Sequence, residues 1–126
     1  SYPSLNSDYQ GFDIELFNLF AHDRYQIKYV NTSWPEIEDD LAAGKFDVAI
    51  GGITLTQQRA TNFLATDSIY HSGKVALVHG DNWRKYYNLS AIDSDGVKVI
   101  YNPGGTNEKF VHDNITRAVQ IECSDI

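Results

Sequence analysis

The stretch VKVIYNPGGTNEKFVHDNITRAVQIEC, residues 97–123, decides the fold class. Val97 to Tyr101 is an apolar, β-branched run of the kind that fills a buried strand. Asn102-Pro103-Gly104-Gly105-Thr106 then breaks the run with turn residues, and Asn107 to about Asn114 reads as a helix. Ala118 to Cys123 (AVQIEC) returns to strand character. Strand, helix and strand joined by short connections make one βαβ unit, and hence a parallel sheet flanked by helix.

Working outward from this unit, the first half has the same rhythm. Residues 13–22 place Ile14, Phe17 and the pair Leu16/Phe20 at helical spacing behind Asp13, which can cap the first turn. Tyr25 to Val30 (YQIKYV) alternates as a strand, and Ser33-Trp34-Pro35-Glu36 is a capping box with an early proline. The helix it opens runs through Leu41 and stops near Gly44. Phe46 to Ile50 (FDVAI) predicts another strand ended by Gly51-Gly52, a short helix is expected around Gln57 to Asn62, and Ser72 to Val78 (SGKVALV) predicts a further strand.

Residues 80–96 are polar and turn-rich, and they suggest a crossover between lobes. The expected organisation is therefore lobe one over 1–79, a hinge over 80–96 and the start of lobe two over 97–126. The second lobe has about thirty residues, below the ~40 at which an unstapled domain usually buries enough surface to fold. The opening is incomplete as well, since a first helix in an α/β sheet should follow a strand and Ser1 to Gln10 is turn-like. Further chain, or a second copy in an oligomer, is expected to complete the lobes.

Composition narrows the function. The 126 residues carry 10 Lys+Arg against 17 Asp+Glu, a net charge of −7, with no basic run to favour a nucleic-acid partner. No apolar stretch approaches the ~18 residues of a membrane span, and the opening residues lack the regions of a signal peptide, so any export signal is expected to have been removed. One cysteine, Cys123, and the scattered His22, His71, His79 and His112 offer no metal-binding spacing, and no cofactor is implied. Three Asn-x-Ser/Thr triplets begin at Asn31, Asn88 and Asn114, a weak signature of a eukaryotic secretory route.

Two loops carry the chemistry. In Asn102 to Phe110, Gly104 and Gly105 sit between a strand and a helix, where close backbone approach, free N–H groups and the helix dipole suit a carboxylate or phosphate. The GxxxxGK[ST] spacing of a P-loop is absent, and a tight βα turn capped by Thr106 is the alternative. In Gly51 to Thr56, also at a strand end, Thr54 offers a hydroxyl, and Arg59 follows with a planar fork that can hold a carboxylate by two parallel hydrogen bonds. A solvated surface arginine is the alternative there.

These residues resemble the periplasmic binding protein-like II fold: two lobes, each a mostly parallel sheet flanked by helices, here without the first strand and the later part of lobe two. Within that fold they are most similar to the cyclohexadienyl dehydratase family. The resemblance rests on Gly11-Phe12-Asp13, on Thr32-Ser33-Trp34-Pro35, on Gly52 to Lys74 with Arg59 and Gly73-Lys74, and on Asn102 to Phe110, the most specific of the four. It covers essentially the whole chain and the first half to two-thirds of a family member. It implies a periplasmic or secreted protein with a small carboxylate or amino-acid ligand in an interlobe cleft.

The resemblance also implies that Thr54 and Arg59 hold the ligand carboxylate and that Asn102, Gly104, Gly105 and Thr106 close on it. Trp34 would be an apolar wall and Lys74 a second cation, with a core tryptophan and a snorkelling lysine as alternatives. The family reaction removes water and carbon dioxide from prephenate or arogenate, and its general acid is a glutamate beyond residue 126. Glu108 is the nearest candidate in the chain, although a glutamate early in a helix is more simply a dipole partner. Family members carry an aromatic where this chain has Ser4, and a Phe-Ser-x-Pro-Tyr run where it has Ala65 to Ile69. Three readings stand at this point: a dehydratase, a non-catalytic solute-binding module, and a degenerate member that has lost its ligand.

Overall fold

The computed structural model describes residues 2–3 and 9–125. The chain divides into two compact units, Ser1–Ala65 and Thr66–Ile126. Ser4, where the family carries an aromatic, lies outside the described residues.

In the first unit, β1 (Tyr2–Pro3) pairs antiparallel with β2 (Tyr9–Gln10), so the opening residues hold a minimal ladder where a turn alone is expected. Helix α1 (Phe12–Ala21) follows Gly11, whose φ of 130° only glycine adopts readily. Asp13 does not cap α1: its carboxylate accepts the Gly52 N–H at 2.7 Å and ties the helix to a distant loop. The apolar stripe is narrower than the sequence pattern implies. Ile14 and Ala21 are buried, Phe17 is half-buried, and Leu16 and Phe20 remain exposed. Phe20 lies against the rings of Phe17 and Tyr25.

Helix α2 (Ile37–Ala42) is preceded by a turn in which Ser33 Oγ donates to the Glu36 carboxylate at 2.8 Å. It ends in a Schellman motif: Gly44 N–H donates to Leu41 O and Lys45 N–H to Asp40 O, with Gly44 at φ 73°. That geometry is why the helix stops where the glycine predicts. Helix α3 (Gln57–Asn62) starts at Thr56, whose hydroxyl accepts the Arg59 N–H at 3.2 Å.

The strands expected over 25–30, 46–50 and 72–78 are not ladders among the described residues. A strand exists only with a hydrogen-bonded neighbour, and alternation reports faces rather than neighbours. Residues 27–30 and Phe46, Val48, Ala49 and Ile50 line a cavity of about 100 Å³ together with Phe17 and Ile37. In 72–78, Val75 and Leu77 are 94% and 101% exposed, so this segment has neither partner nor cover.

Within the second unit, residues 97–123 match their sequence reading closely. Helix α4 (Leu89–Ile92) is capped by the Asn88 side chain, which accepts the Ala91 N–H at 2.8 Å. Strand β3 (Lys98–Tyr101), helix α5 (Thr106–Asn114) and strand β4 (Val119–Glu122) form the βαβ unit. The strands are parallel, with Lys98 opposite Val119 and Tyr101 opposite Glu122. Its core is Tyr101, Val111, Ile115 and Ala118, flanked by Ile92, Val97 and Val99.

Asp93 locks the turn into β4. Its carboxylate accepts the N–H groups of Thr116, Arg117 and Ala118 at 2.9, 2.6 and 2.9 Å, and the Thr116 hydroxyl at 3.0 Å. The backbone donors of Ala118 and Arg117 chiefly hold the carboxyl at a pKa of about 2, below its usual 3.8. No helix among the described residues is long and apolar enough to cross a membrane.

Candidate functional site

The first unit builds its site around Arg59. Gly51 and Gly52, at φ 123° and 71°, turn the chain out of residues 46–50, and Asp13 holds the turn through the Gly52 N–H. The loop then delivers Thr56 as the cap of α3, which fixes Arg59 in the first turn. Arg59 is only 9% exposed, and among the described residues it is the one charged side chain that is buried. A buried cation needs partners, and Arg59 has two: Nε donates to Glu38 Oε1 at 2.8 Å, and Nη1 donates to the Thr54 carbonyl at 3.0 Å.

A guanidinium has five N–H donors. Among the described residues two are used, and the other three sit on Nη1 and Nη2, the edge on which a carboxylate would be taken. The surface-arginine alternative is therefore set aside: the side chain is enclosed and oriented. Thr54 contributes its carbonyl to Arg59, while the residue itself stays exposed. Trp34, in the turn before α2, is 37% exposed, so it is no core tryptophan. Among the described residues it makes no hydrogen bond or ring contact with this group.

The second unit builds its group at the start of α5. Gly104, at φ 78°, makes the bend out of β3, and its N–H donates to Glu108 Oε2 at 2.7 Å. Thr106 is the first residue of α5 rather than its cap. The cap position falls on Gly105, which has no side chain to offer, and Glu108 reaches back from the third helical position to the N–H of the residue before the cap. This contact assigns Glu108 a structural partner at a helix N-terminus, the simpler of its two sequence readings.

Lys74 joins that turn. Its ammonium donates to Thr106 Oγ1 at 2.6 Å and Asn107 Oδ1 at 2.5 Å, and Asn107 Nδ2 in turn donates to Asn102 Oδ1 at 2.8 Å. Burial of the ammonium lowers the Lys74 pKa below its usual value, although the residue as a whole keeps an exposed surface. Lys74 is thus held by hydrogen bonds instead of snorkelling freely, and among the described residues two of its three donors are used. The structure brings Lys74, Asn102, Gly104, Gly105 and Thr106 together in one unit, and Thr54 with Arg59 in the other.

Sequence reasoning missed Glu38 and the role of Asn107 as the amide linking Lys74 to Asn102. Neither has a local signal: Glu38 is 21 residues from Arg59, and Lys74 is 33 from Asn107. Asp13 was legible only as a helix residue, because its partner Gly52 is 39 residues away.

Comparison with known proteins bears on this arrangement. Residues 1–120 match the family model described as bacterial extracellular solute-binding proteins, family 3. The chain is 33% identical over 119 residues to cyclohexadienyl dehydratase of Pseudomonas aeruginosa, covering 94% of this chain and 44% of that protein. It is 22% identical over 109 residues to ABC transporter arginine-binding protein 1 of Escherichia coli, covering 86% and 43%. The chain thus spans less than half the length of these two relatives.

Among solved structures, an ancestral amino acid-binding protein, a precursor of cyclohexadienyl dehydratase, matches with a TM-score of 0.91 at 28% identity, over 98% of this chain and 55% of that one. An ancestral cyclohexadienyl dehydratase matches at 34% identity with a TM-score of 0.54, over 98% and 52%. The fold is that of the type II solute-binding proteins.

Proposed function

This chain belongs to the bacterial extracellular solute-binding proteins of family 3, and we propose that it binds a small carboxylate, an amino acid or a related acid, with Arg59 as its principal cation. The observation that carries the reading is the Arg59 side chain: buried, oriented by Glu38 and the Thr54 carbonyl, and with three donors unused among the described residues. Thr54 and Trp34 in the first unit are read as its neighbours at the ligand. Lys74, Asn102, Gly104, Gly105 and Thr106 are read as a second recognition group. Residues 1–79 and 97–126 are read as the beginnings of two lobes joined by 80–96, in a protein that works in the periplasm or outside the cell. The exposed Val75 and Leu77 support cover by further chain or by a second copy.

The test is isothermal calorimetry with the twenty L-amino acids and with prephenate, on the chain and on Arg59→Ala. One of these ligands should bind, and the substitution should weaken it by about 100-fold, the worth of a charge-assisted pair of hydrogen bonds. Binding that survives Arg59→Ala unchanged sinks the reading.

A second reading is a dehydratase acting on prephenate or arogenate, favoured by the 33% identity to the Pseudomonas aeruginosa enzyme. That reaction needs cationic or N–H partners for the carboxylates and an acid for the departing hydroxyl. Arg59 and Lys74 suit the first need. Glu108 is engaged with Gly104, and on this reading the acid is a group other than Glu108. Phenylpyruvate formed from prephenate, and lost in Arg59→Ala, would establish this reading; a folded protein that binds without turnover would leave the first.

A further inference from the structure

We propose that the turn over residues 83–87 is a peripheral contact for an anionic lipid bilayer. Its sequence, Trp-Arg-Lys-Tyr-Tyr, sets three aromatic rings and two cations in five positions, and Arg84-Lys85 is the chain's one adjacent pair of basic residues. The proposal is independent of any ligand at Arg59. Capping orders the turn from both sides. His79 Nδ1 accepts the Asp81 N–H at 3.3 Å and opens a 3₁₀ turn over Gly80–Asn82, whose Asn82 carbonyl accepts the N–H groups of Lys85 and Tyr86 at 2.9 and 3.1 Å. Asn88 then caps α4.

Trp83 and Tyr87 are 60% and 73% exposed, Arg84 and Lys85 are exposed, and Tyr86 is half-buried. Among the described residues the two cations form no ion pair. Arg84 Cζ lies 5.1 Å from the Trp83 ring centre and Lys85 Nζ 5.0 Å from that of Tyr86, cation–π contacts that leave the charge in place. Asp81 opposes the pair with one negative charge. Farther along, Asp93 is engaged by the 116–118 backbone and Asp95 by Arg117 at 3.1 Å. A chain of net charge −7 therefore presents here a positive, aromatic surface.

The chemistry of these side chains selects the partner. Trp and Tyr join an apolar ring to a polar tip, and Arg and Lys carry apolar stems, so all of them can enter a headgroup layer with their polar atoms wet. Two cations are too few for a soluble polyanion, whose affinity scales with the charges neutralised. A bilayer surface adds burial of the rings to that attraction. Acidic groups more than about 10 Å away are screened at about 0.1 M salt, so the net charge does not forbid the approach.

Sedimentation of the whole chain with vesicles tests this. At about 0.1 M salt, vesicles of equal parts phosphatidylglycerol and phosphatidylcholine should bind it at least about fivefold more tightly than pure phosphatidylcholine, the worth of one net positive charge at an anionic surface. Arg84→Gln with Lys85→Gln should erase that preference. Arg24→Gln with Lys98→Gln, the same change in net charge at exposed residues elsewhere, should keep most of it. In a Trp34→Phe variant, Trp83 emission should shift to the blue on the anionic vesicles as its ring leaves water.

Equal binding of the wild type to the two vesicles overturns the proposal and needs no variant to fold. Loss of the preference in both double variants also overturns it, because overall charge and not this turn would then be the cause. Capture by soluble heparin without vesicle binding overturns it in favour of a polyanion site.

Discussion

Removing Glu38 should damage the fold more than removing Arg59, although the two form one ion pair. Taking one partner from a fully buried pair costs about 3–5 kcal/mol, because the other charge is left uncompensated. Glu38→Ala strands Arg59, whose side chain is 11% exposed and, among the described residues, keeps the Thr54 carbonyl alone. The Glu38 side chain is 32% exposed, so part of the pair was already hydrated and the penalty is discounted to about 2 kcal/mol.

Arg59→Met leaves Glu38 free to turn to water and fills the space with apolar atoms, for a cost of about 0.5 kcal/mol or less. With a urea slope of about 1.5 kcal/mol per molar, the midpoints should fall by roughly 1.3 M and 0.3 M. In the double variant the stranded cation is absent, so adding Arg59→Met to Glu38→Ala should recover about 1 kcal/mol or more. Urea unfolding followed by circular dichroism measures all three. An Arg59→Met midpoint as low as that of Glu38→Ala, or strict additivity in the double variant, would refute the reasoning, because it would mean that the guanidinium is not an isolated buried charge.

Two further outcomes follow from the second unit. The Asp93 carboxyl is held at about 2 against an ordinary 3.8, so between those values the unfolded chain binds more protons than the native one. Its stabilising effect is then complete above about pH 4 and is lost as pH falls toward about 2, and Asp93→Asn should flatten that limb of an acid-unfolding curve. Ile115 is 2% exposed within the small Tyr101, Val111 and Ala118 core, so Ile115→Ala should cost about 3 kcal/mol in urea unfolding. Ile121→Ala, on a β4 residue 37% exposed, should cost less than about 1 kcal/mol.

The βαβ unit was legible because each of its signals is local. An apolar run, a Pro-Gly-Gly break, helical spacing and a second run lie within 27 consecutive residues, and β3 pairs with the next strand in the chain. The stop of α2 was legible for the same reason, because Gly44 closes it through backbone groups three to five residues away; the start of α3 at Thr56 was not read from the sequence. The strands over 25–30, 46–50 and 72–78 were overread, because alternation names a face and says nothing about which chain lies alongside it. Asp13 was misassigned for a related reason, since a local cap and a distant loop compete for one carboxylate and the sequence displays only the first.

The sequence by itself determined the fold class, the position of Arg59 after a Gly-Gly turn, and the Asn102 to Asn107 bend before a helix, all set by short-range backbone chemistry. Tertiary structure decided what those residues do. It brought Glu38 to Arg59 across 21 residues and Lys74 to Asn107 across 33. It also left Glu108 bonded to Gly104. A hydrogen-bonded charge pair needs its two groups within about 3 Å of each other, and residues far apart in the chain meet at that distance only once it has folded.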